Sequence, residues 1–195
     1  MRYLGNKTSL LDFLDTHIKS FIGNDFSKFN HFYDLFSGTG SVSNHFKQYI
    51  SIVSNDFLLS SYYVTYAKLL NNYPSDLEKY IHYLNESCVL GDITKHYSEG
   101  SKRLYFSKEN GMKIDYIRNF LKNSTINKDL HHYLMYCFIH SIHKVSNTTG
   151  VYGAYLKTLQ NHNTLLVEKL PISPSKFTHY CHNNDASSLI NPSLL

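Results

Sequence analysis

Phe32-Tyr33-Asp34-Leu35-Phe36-Ser37-Gly38-Thr39-Gly40-Ser41-Val42 is the stretch from which the fold follows. A short apolar run, broken by the acid Asp34, passes into a turn carrying Gly38 and Gly40. Val42, Phe46 and Ile50 then fall at helical spacing. Ile50-Ser51-Ile52-Val53-Ser54 is rich in β-branched residues and predicts a second strand, ending at Asn55-Asp56. Leu58, Leu59, Tyr62, Tyr66, Leu69 and Leu70 mark one side of a following helix. Strand, glycine turn, helix, strand and helix make a βαβ unit, which requires a parallel sheet. Upstream, Leu10, Leu11, Leu14, Ile18 and Phe21 predict an amphipathic helix over 8–21, with Gly23 just past its end.

Downstream the chain reads as mainly helical. Helices are predicted over 77–84 and 112–121, and a clearer stripe runs from Leu130 through Leu134, Cys137, Phe138 and Ile142 to Val145. The stretch 91–111 is polar and glycine-punctuated and reads as loop. Ser146-Asn147-Thr148-Thr149-Gly150 is turn chemistry, and Leu165-Leu166-Val167 predicts a strand. No internal repeat or low-complexity tract appears.

The 195 residues suit one domain with room for a subdomain. An apolar content of 42% excludes a disordered chain, and the absence of any run near ~20 apolar residues excludes a membrane span. The first residues do not form a secretory leader. Cys88, Cys137 and Cys181 are odd in number and widely spaced, so neither a zinc ribbon nor a disulfide framework is supported. These features together predict a cytoplasmic protein. The formal charge is +4, with 16 Lys against 3 Arg, a mild basic excess consistent with a polyanionic partner.

The glycine turn is the first feature with chemical content. A strand ending in an acid, a turn that lets backbone approach a ligand, and a helix N-terminus form a ligand cradle. A dinucleotide fingerprint would place a third glycine where Ser43 stands, so pyrophosphate is disfavoured. Asp56 closes the next strand 22 residues after Asp34 and suits a carboxylate that grips two ribose hydroxyls. Asp-x-Phe-x-Gly-x-Gly plus that second acid fits S-adenosylmethionine, a nucleoside with an amino-acid tail and no phosphate. Taken alone, the glycine pair would equally build a tight turn in any α/β fold.

Several segments in order carry a family resemblance. Arg2-Tyr3-Leu4-Gly5-Asn6-Lys7, the Asp34–Val42 turn and Asn55-Asp56 resemble the Dam-related DNA methyltransferases that modify the adenine amino nitrogen, in their restriction–modification branch. Tyr105-Phe106-Ser107, Glu109-Asn110-Gly111, Ile114-Asp115, Ile117-Arg118, the run Ser146 to Lys157 and Asn183-Asn184-Asp185-Ala186 extend the match across nearly the whole chain. The resemblance implies an α/β, Rossmann-like, S-adenosylmethionine-dependent fold. Residues 1–70 and 158–195 would form the cofactor domain, and 71–157 a mainly helical insertion for target recognition.

The resemblance also assigns residues. Tyr3, Gly5, Asn6 and Lys7 would close over the methionine part of the cofactor, with Lys7 pairing its carboxylate. Asp34, Phe36, Ser37, Gly38 and Gly40 would line the methionine pocket. Asp56 would hold the ribose, Phe57 would flank the adenine, and Asp185 would accept from the exocyclic amine with Ala186 beside it. On the DNA side it implies Lys102, Arg103, Asn147, Thr148, Thr149, Tyr152, Tyr155 and Lys157. Basic side chains would track phosphates, and Tyr105, Phe106, Tyr152 and Tyr155 would stack or wedge as adenine leaves the duplex. The same aromatics would also serve as core, and the same Asn and Thr residues also build turns.

The chain departs from the family at the reaction centre. Amino-methyltransferases use an Asp-Pro-Pro-Tyr type segment whose acceptors hold the target amine and whose Tyr stacks on the flipped base. Pro74, Pro171, Pro174 and Pro192 are never adjacent, so that segment is absent and no catalytic residue is assigned. Asn191-Pro192 begins like a variant of it but lacks the second proline and the aromatic. The expectation is a chain stopping just short of the catalytic strand. The implied function is site-specific transfer of methyl to adenine in duplex DNA, as the modification part of a restriction–modification system with a cognate endonuclease. The alternative is a non-catalytic S-adenosylmethionine- and DNA-binding fragment that requires a complementary chain carrying the missing segment. A cytosine-ring enzyme would need Pro-Cys, and the residues after the prolines are Ser75, Ile172, Ser175 and Ser193. No GxSxG hydrolase elbow occurs. His131, His132, His140 and His143 cluster along one helix without further ligands in comparable order, so no metal site is expected.

Overall fold

A computed structural model describes residues 7–150 and 152–189. Tyr3, Gly5, Asn6, Val151 and the Asn191-Pro192 pair lie outside the described residues. The chain mixes helices with a small parallel sheet and divides into two compact units: residues 7–73 with 171–189, and Pro74–Leu170.

In the first unit, α1 (Leu11–Phe21) follows a 3-10 turn over Thr8–Leu10. Next come β1 (His31–Asp34), α2 (Ser41–Phe46), β2 (Ser51–Asn55) and α3 (Leu59–Leu69), and the chain returns late as β3 (Tyr180–His182). The strand order is β1-β2-β3, all parallel, with Tyr33 opposite Val53 and Val53 opposite Tyr180. Alternation places Phe32, Ile52 and Cys181 on one face, where they join Phe46, Ile50 and Leu69 in a core with Ile18, Phe26 and Val42. Phe32 stacks on Phe46 at 4.9 Å. Tyr33 and Tyr180 stand on the other face, about half exposed.

β3 was not legible in the sequence. It is three residues long, with a charge-capable His182 and no β-branched residue. Asn55 extends the pairing beyond it: its amide donates to the Asn184 carbonyl at 3.1 Å while Asn184 N–H donates to its Oδ1 at 3.0 Å. A side chain thus stands in for a peptide unit.

The second unit is helical: α4 (Leu77–Glu86), α5 (Asp92–Tyr97), α6 (Lys108–Asn123) and α7 (Lys128–Val145). Ser107 caps α6 through Asn110 N–H, and Asn127 caps α7 through Leu130 N–H. Helix α5 corrects the expectation of loop throughout 91–111. Six residues make too short a helix for a periodic stripe, and its first turn is held from outside. Buried Asp115 on α6 accepts from Ile93 N–H, Thr94 N–H and the Thr94 hydroxyl at 2.7–3.0 Å. Gly111 allows the close approach, since a Cβ there would lie 3.0 Å from Thr94 Cα.

The predicted strand at 165–167 is also corrected. Leu165 and Val167 are buried and Leu166 is exposed, which is a strand's burial pattern, but among the described residues no strand pairs with them. Side chains replace the ladder. Asn110 accepts from Leu165 N–H at 2.8 Å and donates to the Asn163 carbonyl at 2.8 Å. Asn85 brackets Val167 in the same way, at 2.8 and 2.9 Å. Ser141 donates to Leu166 O at 2.6 Å, and the Tyr133 hydroxyl meets both the N–H and the carbonyl of Leu170. The segment is an extended strap across the helices. It therefore groups 158–170 with the helical unit, where the sequence expectation placed these residues with the sheet.

Candidate functional site

At the C-terminal ends of β1 and β2, two acids and the glycine turn come together. Asp34 is partly buried and accepts from the Ser43 hydroxyl at 2.6 Å. Burial pushes its pKa up, opposed by that hydrogen bond and the charge of Lys7, while the Asp56 charge adds to the rise. Lys7 itself is exposed.

Asp56 organises the turn. Its Oδ2 accepts from Gly38 N–H at 2.7 Å, and its Oδ1 from Leu58 N–H at 2.9 Å. Its own N–H donates to the His182 carbonyl at 3.3 Å. Asn183 spans the Asp56 and Phe57 carbonyls at 2.7 and 2.9 Å, which ties the loop after β3 to the loop after β2. Ser37 N–H donates to Asn55 O at 2.9 Å, and Gly40 N–H to Ser37 O at 2.7 Å. Gly38 and Gly40 both have positive φ, +54° and +66°, a conformation that side chains resist. Gly40 is further required by space, because a Cβ would lie 2.7 Å from Thr65 Oγ1.

Thr65 and Lys68 on α3 are residues that the sequence reading missed. The Thr65 hydroxyl donates to Gly38 O at 3.2 Å and accepts from Ser37 Oγ at 3.3 Å. The Lys68 ammonium donates to Thr39 O at 2.7 Å, and burial lowers its pKa. Their i,i+3 spacing within an apolar helix was the available signal. Lys47 is almost fully buried, and its ammonium donates to Lys68 O and Leu70 O at the end of α3.

Phe36 and Phe57, each about 72–73% exposed, leave two aromatic faces open beside the turn. Asp185 is exposed. Its Oδ1 accepts from the Ser187 N–H and hydroxyl at 2.9 and 2.8 Å, which lowers its pKa, and Ala186 begins the short 3-10 turn it caps.

The residues expected on the DNA side fall in the helical unit. Lys102, Arg103, Thr149, Tyr152, Tyr155 and Lys157 are exposed. Arg103 donates to the Tyr97 hydroxyl at 3.1 Å and lies 5.3 Å from its ring. Tyr105 packs with Tyr155 at 5.0 Å and donates to Tyr152 O at 3.1 Å, and Tyr155 donates to Lys102 O at 2.7 Å. Thr148 pairs with Tyr155 in an antiparallel bridge.

Two expectations need correction. Phe106 is buried and packs as core. Asn147 is 1% exposed: its amide donates to Leu104, Leu156 and Thr158 carbonyls, and its Oδ1 accepts from Gln160 N–H. It fastens the 146–160 segment and has no polar atom left for a base edge. It also lines a polar cavity of about 710 Å³ with His140, His143 and Thr148.

The small parallel sheet thus carries one acid at the end of β1 and another just past the end of β2, around a double-glycine turn, an arrangement of the α/β class. The sequence profile of the D12 class N6 adenine-specific DNA methyltransferases matches residues 3–193, and the chain belongs to that family. It is 37% identical over 210 aligned positions to the type II methyltransferase M.FokI of Planomicrobium okeanokoites, covering 97% of this chain and 32% of that protein. It is 34% identical to the modification methylase LlaI of Lactococcus lactis subsp. lactis, over 80% of this chain and 27% of the relative. It is also 34% identical to the type II methyltransferase M.NlaIII of Neisseria lactamica, over 97% of this chain and 60% of the relative. The chain thus spans less than two thirds of the length of these relatives. No solved structure matches it.

Proposed function

We propose that these 195 residues form the cofactor- and DNA-binding portion of a site-specific adenine methyltransferase of a restriction–modification system. The sheet unit, in a Rossmann-like arrangement, binds S-adenosylmethionine. Asp34 and the Gly38–Gly40 turn face its methionine end, Asp56 its ribose, and Phe36 and Phe57 its apolar surfaces. Asp185 and Ala186 border its adenine, and Lys7 pairs with its carboxylate, with Tyr3, Gly5 and Asn6 beside it. The helical unit meets duplex DNA through Lys102, Arg103, Thr148, Thr149, Tyr152, Tyr155 and Lys157. When bound, the cofactor supplies an electrophilic methyl group to the amine of an extruded adenine.

The observation that carries this reading is the pairing of Asp34 and Asp56 on adjacent parallel strand ends, one on each side of the double-glycine turn. The M.FokI, LlaI and M.NlaIII relatives, all methyltransferases or methylases by name, support it, and a cognate endonuclease would be the counterpart of this protein in such a system. The second reading, a binding portion that acts with a complementary polypeptide, is favoured by one fact: no two prolines are adjacent, so these residues hold no Asp-Pro-Pro-Tyr segment.

The test is calorimetry with S-adenosylmethionine, followed by transfer of labelled methyl to unmethylated DNA. The expected result is cofactor binding with transfer lower than in a full-length relative by at least ~10³-fold, because the amine acceptors and base platform together supply several kcal/mol. Adding a polypeptide that carries the Asp-Pro-Pro-Tyr segment should restore transfer. Robust labelling of adenine by the 195 residues alone would overturn the second reading. Absence of cofactor binding would overturn the first.

A further inference from the structure

The two α3 side chains beneath the glycine turn do more than join a helix to a loop. Among the described residues, the hydrogen bonds of these two side chains end on a turn carbonyl or hydroxyl. Thr65 holds Gly38 O, Lys68 holds Thr39 O, and Thr65 also accepts from Ser37 Oγ. On the opposite edge Asp56 takes Gly38 N–H. The Gly38 peptide groups are therefore fixed at both ends, carbonyl toward α3 and N–H toward β2. Thr65 is fully buried and occupies the space a Cβ on Gly40 would need, so the helix and the left-handed turn fit only in this register. Lys68 adds a cation to the underside of the turn, within a helix whose last turn carries no other basic side chain.

We propose that Thr65 and Lys68 are positioning residues for the amino-acid end of the cofactor, holding the Ser37–Gly40 backbone in the left-handed form that receives it. This rests on the S-adenosylmethionine reading and extends it to residues that do not touch the ligand. Turning the Gly38 and Thr39 carbonyls toward α3 keeps their negative ends away from the ligand's carboxylate. The Lys68 charge on Thr39 O polarises the following amide, Gly40 N–H, and so strengthens the bond to Ser37 O that closes the turn. Losing either side chain should therefore weaken binding of a ligand with a methionine tail, and should spare one that has only the nucleoside.

The test compares two ligands on the full 195-residue chain by calorimetry: S-adenosylmethionine, and 5′-methylthioadenosine, which lacks the amino-acid end. Thr65→Val and Lys68→Met should each weaken S-adenosylmethionine by about tenfold, the size of one charge-assisted or buried hydrogen bond. Affinity for 5′-methylthioadenosine should stay within about twofold on the same scale. Thr65→Ser, which keeps the hydroxyl, should restore wild-type binding. Lys68→Gln keeps a donor without charge and should fall between wild type and Lys68→Met. It also serves where Thr65→Val fails to fold. Equal losses for both ligands would reduce these residues to ordinary stabilisers and overturn the proposal, as would unchanged affinity for S-adenosylmethionine in Lys68→Met. Wild-type chain that binds neither ligand would instead overturn the cofactor reading itself.

Discussion

Asp56 and Asn147 show how differently two polar side chains can be used. Asp56 accepts a backbone N–H at each oxygen yet stays partly exposed, where further carboxylate lone pairs remain. Asp56→Ala should weaken S-adenosylmethionine by ~1–3 kcal/mol and should also loosen the turn. Calorimetry on the folded variant reads the first effect, and hydrogen exchange at Gly38 reads the second. Asn147 has no such reserve. Asn147→Ala would leave three carbonyls and one N–H without their partner, at a cost of about 1–3 kcal/mol. The denaturation midpoint should fall accordingly, and Asn147→Asp should not rescue it, because a carboxylate cannot donate to the three carbonyls. Read from sequence, Asn147 looked like a base reader. Residue type and turn context cannot distinguish an exposed amide from one that holds a loop together.

Among the elements, the surface formed by residues 97–105 and 148–157 bears the DNA expectation. Its basic side chains are exposed, and Arg103 is braced on Tyr97. If phosphates bind there, affinity should fall with salt with a slope of about −0.9 per contact. Replacing Lys102 and Arg103 with Ala should lower that slope by about one to two units in filter binding across a salt series. An unchanged slope would move the DNA surface elsewhere. Elements differed in how far they could be read. α3, α6 and α7 announced themselves because a periodic stripe matches a buried face, β1 by a short apolar run leading into the glycine turn, and β2 by its β-branched residues. α5 could not, since Asp115, more than 20 positions away, secures its first turn. The 165–167 strap looked like a strand because alternating burial is all that sequence reports, and the partner that would make a ladder is here a pair of asparagines. At the glycine turn the acids and glycines were readable as a motif, while Thr65 and Lys68 were hidden inside an ordinary apolar helix.

For the molecule as a whole, buried bases set the pH response. Burial lowers His132 to about 4, with His131 and Lys128 nearby, and lowers His179 to about 4, with Lys47 nearby. A group that binds its proton more weakly when folded than unfolded contributes stability above its unfolded value. That contribution is lost as pH falls toward the folded one. Stability should therefore decline from pH 6.5 to about 4 through these two histidines. After allowance for solvent screening at half-buried rings, each contributes roughly 1–2 kcal/mol. His179→Gln should flatten its share of that slope in urea titrations. Lys47 works at the other end. Burial lowers it to about 8 from 10.5, so the unfolded chain binds the extra proton and stability should rise across that interval. Lys47→Met should remove this rise. Among the described residues no helix is long and apolar enough to cross a membrane.

The asparagine brackets around the strap also tie the fold to chemical ageing. Asn85, Asn110 and Asn147 each donate and accept at once. Slow hydrolysis of such an amide to a carboxylate preserves the acceptor but turns the donor into a negative oxygen facing a carbonyl. Deamidation at any of these three would loosen the chain around 146–170, and the same change at Asn55 would part β2 from the segment after β3.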